Sequence, residues 1–477
     1  MIKRIPISGP YSGNVDDDAV TDPYSSLLQD VFVDEAPENA VNRRPGGDVK
    51  DEEFGYGAAT QGAYEWKQKG FLVFVQGGKI FTKRAKNTIP QEVTGATLHP
   101  TNRVYFAFNG THLVMVNGSN MVWTTDGITA TQMAHASAPT DATHVGFIDG
   151  YIIANSGDKV YRSALDDALT WNAAWNLETE SIPDTITAVF VSDSKIFAWG
   201  PSNLEIWYNA GLSGGTPFAR QQVIERGLIA PDSVIRANNT FYWLNEERRF
   251  VFLNGSVVQS ISLPVDKEFA NMTTVSDAFT TLWRVGGRYF IVLTFPTEDK
   301  SWAYDVILDR WYKWGYWSTS LGKYKSVPYS TMTYMQAWGI HIAGSTMNDK
   351  LYQMALDSYG DGTNKMRSIT QTGWIDHGVS VRKKCSRVRL TVKRGAVTLD
   401  SSDLTKKPKL IVQHRSDGKK AWSNEREIDL GGIGDTVHHV DINRLGSFRT
   451  RQWKFELSDL APLVLVKAEV FLDFGRD

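Results

Sequence analysis

Glycoside hydrolysis is the first chemistry to test in this chain. It needs two carboxylates facing each other across a sugar, or a tyrosine nucleophile in place of one. An acidic sugar also needs clustered arginines to hold its carboxylate. Glu205 and Glu225 supply acids, and Arg220, Arg226, Arg236, Arg284 and Arg288 supply guanidiniums. Their spacing singles out no pair and no triad. GLSGG at 211–215 has the form G-x-S-x-G. A nucleophile elbow requires a strand before it and a helix after it, whereas WYNA and TPFARQQV read as a hairpin end and another strand. DSYGDGTN at 357–364 begins like a calcium loop but puts Tyr359 at the third position and no glutamate at the twelfth. His438 and His439 are adjacent on a strand and point to opposite faces, so they do not share a metal. Cys385 is the single cysteine, which excludes an internal disulfide and a multi-cysteine metal site; it reads as a packed thiol. No Walker A, G-x-G-x-x-G or H-E-x-x-H run occurs. The expectation is a non-enzyme with no catalytic residue, cofactor or metal set.

One stretch does carry a recognisable turn. GYIIANSGDKVYRSALDDALTW, residues 150–171, ends on Asp166-Asp167-Ala168-Leu169-Thr170-Trp171. This resembles the Asp-box, S-x-D-x-G-x-T-W, of sialidase-like propellers, with Ala168 in place of glycine and Ser163 one residue too far upstream. SDGKKAW at 416–422 is a weaker echo. In that turn the aspartate caps backbone N–H groups and the tryptophan packs inward, so the motif is structural.

The elements that carry these residues are strands. The chain has 477 residues, 42% hydrophobic and 12% aromatic, with 16 Trp and 18 Tyr, enough for a large core in two or three domains. Its net charge of −2 argues against a wholly basic nucleic-acid coat. No run reaches about 18 apolar residues, so no membrane insertion is expected. The start, MIKRIPISGPYSGN, lacks the apolar core of a signal peptide, and a soluble protein made in a cytoplasm is expected. Of five N-x-S/T triplets, those at Asn109, Asn117 and Asn254 are Asn-Gly pairs that suit tight hairpin turns.

From Phe71 onward, apolar–polar alternation interrupted by Gly, Asn, Asp and Pro marks successive hairpins. They begin near Phe71, His112, Tyr151, Ile196, Phe241, Tyr289 and His341, spaced 39–52 residues apart. One hairpin per 40–50 residues is the signature of a β-propeller. HVGFIDG and TAVFVSD read as inner strands of four-stranded blades, and six or seven blades are expected. Trp207, Trp243, Trp302 and Trp311 read as blade core. No helix of three turns is visible. Residues 1–55, with twelve Asp or Glu against five Lys or Arg, read as an extended acidic arm; 56–370 as the propeller; and 371–477 as a C-terminal β-sandwich. Residues 382–421 hold thirteen Lys or Arg against three Asp. The fold class is all-β.

YSSLLQDVFVDEAPENAVNRRPGG, residues 24–47, resembles the N-terminal signature of the P22-like packaged-DNA stabilisation proteins of short-tailed phages, also called tail hub or nozzle proteins. Val31, Phe32, Pro37, Arg44, Pro45 and Gly46 occupy its positions. Residues 195–244 are similar to the family's central blade, with Gly200, Ser202, Glu205, Trp207 and Gly227 in its hairpin and turn. AYDVILDRWYKW, 303–314, fits a blade strand. RLG-x-x-R, Arg444 to Arg449, is similar to a C-terminal sandwich of phage tail proteins.

The resemblance implies a virion tail protein, assembled in the bacterial host's cytoplasm. It implies a ring of about six copies below the portal and its adaptor. That ring extends the channel for packaged double-stranded DNA, helps retain the genome, and carries needle, fibre or spike proteins. Val31, Phe32, Pro37, Arg44, Pro45, Arg444 and Arg449 are then the expected contacts to adaptor or neighbour. A low-charge lumen suits a conduit that must not hold its cargo. The competing readings are a glycan-binding or glycan-cleaving propeller that recognises a receptor, and a cytoplasmic propeller adaptor of cellular origin.

Overall fold

The computed structural model describes residues 1–11, 25–34, 39–49, 57–178, 185–212, 216–362, 364–393, 407–430 and 437–474. Pro37 therefore lies outside the described residues, as do 213–215 of the GLSGG run.

Among the described residues, seven four-stranded antiparallel units stand around a central axis, each with its first strand innermost. Blade 1 runs from Thr60–Trp66 to Gln91–Gly95, and blade 2 from Tyr105–Phe108 to Thr129–Gln132. Blade 3 runs from Val145–Ile148 to Asp167–Glu178, and blade 4 from Ala188–Ser192 to Phe218–Ile224. Blade 5 runs from Ile235–Ala237 to Val257–Ser260, and blade 6 from Phe279–Val285 to Arg310–Lys313. Blade 7 takes Tyr329–Met335, Ile340–Ser345 and Leu351–Ala355 from its own stretch. Its fourth strand, Gly46–Val49, comes from the N-terminal region. The ring is thus closed by a strand lying about 300 residues away in sequence.

The blades hold because their strands alternate. Phe71–Gln76 is buried throughout, as expected of a second strand covered on both faces. Trp243 and Trp302 are fully buried, and Trp207 and Trp311 nearly so, each within its blade's apolar layer. ALDDALTWNAAW, residues 164–175, is a tight turn followed by most of the strand Asp167–Glu178. Its turn works as the Asp-box does, one residue late: Asp167, not Asp166, accepts from the Leu169 N–H at 2.8 Å. Trp171 is buried, and its Nε1 donates to the Ala168 carbonyl at 2.9 Å.

Most of the remaining strands form two sheets that share one apolar core with blades 5 to 7. In one, Val31–Asp34, Ala40–Arg43, Val464–Phe474, Lys383–Lys393 and Val437–Asn443 lie side by side. In the other, Ser25–Gln29 pairs with Ser368–Thr372, followed by Arg451–Leu457, Lys409–Ser416 and Arg426–Asp429. Ser25–Gln29 also pairs, in parallel, with the outer strand of blade 6 through Gln29 and Lys313. Blade 6 and the C-terminal strands are therefore one continuous nine-stranded sheet, joined by an N-terminal strand.

Candidate functional site

The strongest sequence signal in the N-terminal region is RRPGG, and its two arginines explain how the region is held. Arg43 is the last residue of the strand Ala40–Arg43, and Arg44 follows it, so their side chains leave in opposite directions. Arg43 turns into the C-terminal sheets. Its Nε donates to Ser368 Oγ at 2.9 Å, Nη1 to the Ala461 carbonyl at 2.8 Å and to the Asp459 carbonyl, and Nη2 to the Met366 and Leu457 carbonyls at 3.0 and 3.1 Å. Burial lowers this guanidinium to about 10. Arg44 turns into the propeller. Its Nε donates to Asp30 Oδ1 at 2.8 Å, and Nη2 to Asp361 Oδ2 at 2.5 Å and to the Gly315 carbonyl at 2.6 Å. Tyr329 of blade 7 donates to the same Asp361. Arg44 is 1% exposed and both its carboxylates are fully buried. Burial alone would push Arg44 down, but Asp361 and Asp30 outweigh it and hold it well above its ordinary value.

This arrangement corrects the expected contact set. Val31, Arg44 and Pro45 are buried in the chain's own interior, so they hold the fold and present nothing to an adaptor. Phe32 is half-buried, edge-on to Phe290 at 5.8 Å and under Arg288 at 5.6 Å. Arg444 and Arg449 do face solvent. They sit on the turn held by the Arg444 N–H to Ser386 carbonyl bond and by the Arg449 N–H to Asp417 bond. Gly46 follows the lock: a Cβ there would lie 2.0 Å from the Gly360 carbonyl oxygen, so only glycine lets the closing strand approach. Gly227, read from the central-blade motif, is similarly placed 1.9 Å from the Pro201 carbonyl oxygen.

The propeller axis is the natural place for a ligand. It is not an open tube. Tyr105 of blade 2 donates to Asp232, at the entry to blade 5, at 2.7 Å. Arg103 lies 4.4 Å over the Phe279 ring of blade 6. Tyr105, His144 and Phe190 pack against one another at 4.1–5.8 Å between ring centres. Cavities of about 380, 250 and 360 Å³ lie among the inner strands of blades 1, 2, 5, 6 and 7. Their polar lining includes Arg103, Asp232 and Asp277. Sequence reasoning missed these residues; Arg103 and Asp232 lie in the connections between blades, which carry no alternation to read.

The candidate glycosidase groups do not converge. Glu205 is fully buried inside blade 4, 3.6 Å from Arg220. Arg226 faces Glu246, Arg236 pairs with Asp193 at 2.9 Å, and Arg288 pairs with Asp34 and Asp305. Arg284 lies over Tyr289. These are five separate arrangements in and between blades 4 to 6, each engaged within the chain. Cys385 is buried, and burial pushes its thiol up to about 11, well away from a reactive thiolate.

A family model described as bacteriophage P22 Gp10, beta-propeller, matches residues 48–359. No curated protein matches the chain. Among solved structures, the WD40 β-propeller domain of Doa1 is similar at 9% identity over 65% of this chain and 97% of that one, with a TM-score of 0.43. The extracellular domain of the two-component system BT4673 from B. thetaiotaomicron is similar at 10% identity over 74% of this chain and 45% of that one, with a TM-score of 0.45.

Proposed function

The chain belongs to the phage stabilisation family of the bacteriophage P22 Gp10 β-propeller, a phage structural protein, and on that premise we propose that it is a tail hub or nozzle subunit. About six copies form a ring below the portal and its adaptor. The ring prolongs the DNA path, helps retain the packaged genome, and offers its outer surface to needle, fibre or spike proteins. In this reading the protein acts in the virion tail and performs no catalysis. The observation that carries the reading is the family match over 48–359.

Two physical features support it. A plug under the pressure of confined DNA must be stiff, and here one N-terminal region ties blade 6, blade 7 and the C-terminal sheets together through paired strands and two buried arginines. The axial cavities of about 250–380 Å³ do not admit a duplex whose major groove alone is about 12 Å wide. Any DNA lumen then runs between copies, not through one propeller.

The test is genome retention. Heads assembled in cells lacking this chain are expected to lose their DNA to nuclease, and to keep it when the chain is supplied. Heads that stay filled without it would contradict the reading.

A further inference from the structure

In each blade the turn between the third and fourth strands lies on the same face of the disc as the turn between the first and second, because successive strands are antiparallel. Each of blades 1 to 6 places one exposed aliphatic side chain at or beside that third turn, from Ile89 in blade 1, 79% exposed, to Ile307 in blade 6, and in blade 7 Leu356 directly follows the third strand at the same edge. On the opposite face, the turns between second and third strands carry, among the described residues, a single exposed large apolar side chain, Met347. Scattered apolar residues need no explanation, but one per blade on one turn type is a pattern.

Two of these tips stand in opposite charge. Around Ile89, its own turn contributes exposed Arg84 and Lys86, and the first turn of the same blade contributes exposed Lys67 and Lys69. In blade 3, Leu165 is 59% exposed beside Asp166, with exposed Asp149 in the blade's first turn. Each patch has an aliphatic centre with a fringe in which one sign of charge predominates, the anatomy of one half of a protein interface.

We propose that these two rim patches are the two halves of a head-to-tail contact between copies of this chain, the basic patch of one seated on the acidic patch of the next. The proposal rests on the ring reading above and names the surfaces that close the ring. Charge complementarity selects a second copy as occupant: the two patches match each other and neither matches itself, so the contact is heterologous and propagates. Their placement suits closure. Two to three of seven blade steps separate them, about 100–150°, which brackets the roughly 120° between the two contacts of one member of a six-membered ring. Opposed charge gives register and encounter rate, while the aliphatic tips supply the dry contact.

The test reverses each patch in the full chain and follows assembly by native mass and imaging, alone and with the phage's connector. Lys67→Glu with Lys86→Glu, and separately Asp149→Lys with Asp166→Lys, are each expected to weaken ring formation at least tenfold. An equimolar mixture of the two variants is expected to restore it as an alternating ring, because one now carries two acidic patches and the other two basic ones. Melting curves check that each variant is folded. If the lysine variant at 149 and 166 is not, Asp149→Asn with Asp166→Asn replaces it and is expected to weaken the ring and flatten its salt dependence. Rings that persist in both variants, or that fail to return in the mixture, overturn the proposal and leave the ring reading standing. A wild-type chain that never forms a ring, alone or on the connector, overturns both.

Discussion

Arg44 sits where a charge is expensive. A buried guanidinium between Asp30 and Asp361 gains little over a well-packed apolar side chain, but removing it strands two carboxylates without a counter-charge. We expect Arg44→Met to lower unfolding free energy by about 3–5 kcal/mol in urea titration. Its neighbour Arg43 has acceptors that are backbone carbonyls and one hydroxyl, so Arg43→Met leaves no stranded charge and is expected to cost less. The histidines give a pH signature. Burial lowers His144, His341, His377 and His414 to about 4, against about 6.5 in an unfolded chain. Between those values the unfolded chain binds more protons, so stability is full above about pH 6.5 and is lost as pH falls toward 4. His144 is nearly fully buried between Tyr105 and Phe190. His144→Phe is expected to remove a share of that loss, of the order of 3 kcal/mol, read from melting temperatures across the pH range. These roles were not legible in the sequence. RRPGG stood out as a motif, but Asp361, the partner of Arg44 just beyond blade 7, lies 317 residues away, and nothing local distinguishes a guanidinium aimed inward from one aimed at another protein.

At the scale of elements, hairpins were legible and closure was not. The seven starts from Phe71 to His341 fall at or within two residues of the second strands of the seven blades, because a strand covered on both faces is apolar along its whole length and its turns need Gly, Asn or Asp. Gly46–Val49 has neither alternation nor apolar bulk. It is a strand because blade 7 offers it an edge, so its pairing is set by tertiary context. The same holds for Ser25–Gln29, which stitches blade 6 to the C-terminal strands. The closing strand is therefore a weak point with a sharp test. In Gly46→Ala the new methyl meets a backbone carbonyl that cannot turn aside. We expect a loss of about 1–3 kcal/mol or more and faster amide exchange in Leu351–Ala355. Exchange unchanged in that strand would mean that blade 7 does not depend on the N-terminal strand.

For the whole molecule, the sequence carried the all-β propeller and its phage family, since both rest on periodicity and on motifs spread along the chain. It did not carry the state of the axis. Contacts such as Tyr105 to Asp232 join blades far apart in sequence, and they cross the axis of each copy. In the proposed hub each disc borders the DNA path as part of its wall, so assembly is the property to measure. The most direct measurement is native mass and negative-stain imaging of the purified full chain, alone and mixed with the portal–adaptor complex of its phage. We expect a closed ring of about six copies seated on the adaptor with its opening between subunits. A chain that remains a monomer in both samples would contradict the hub reading.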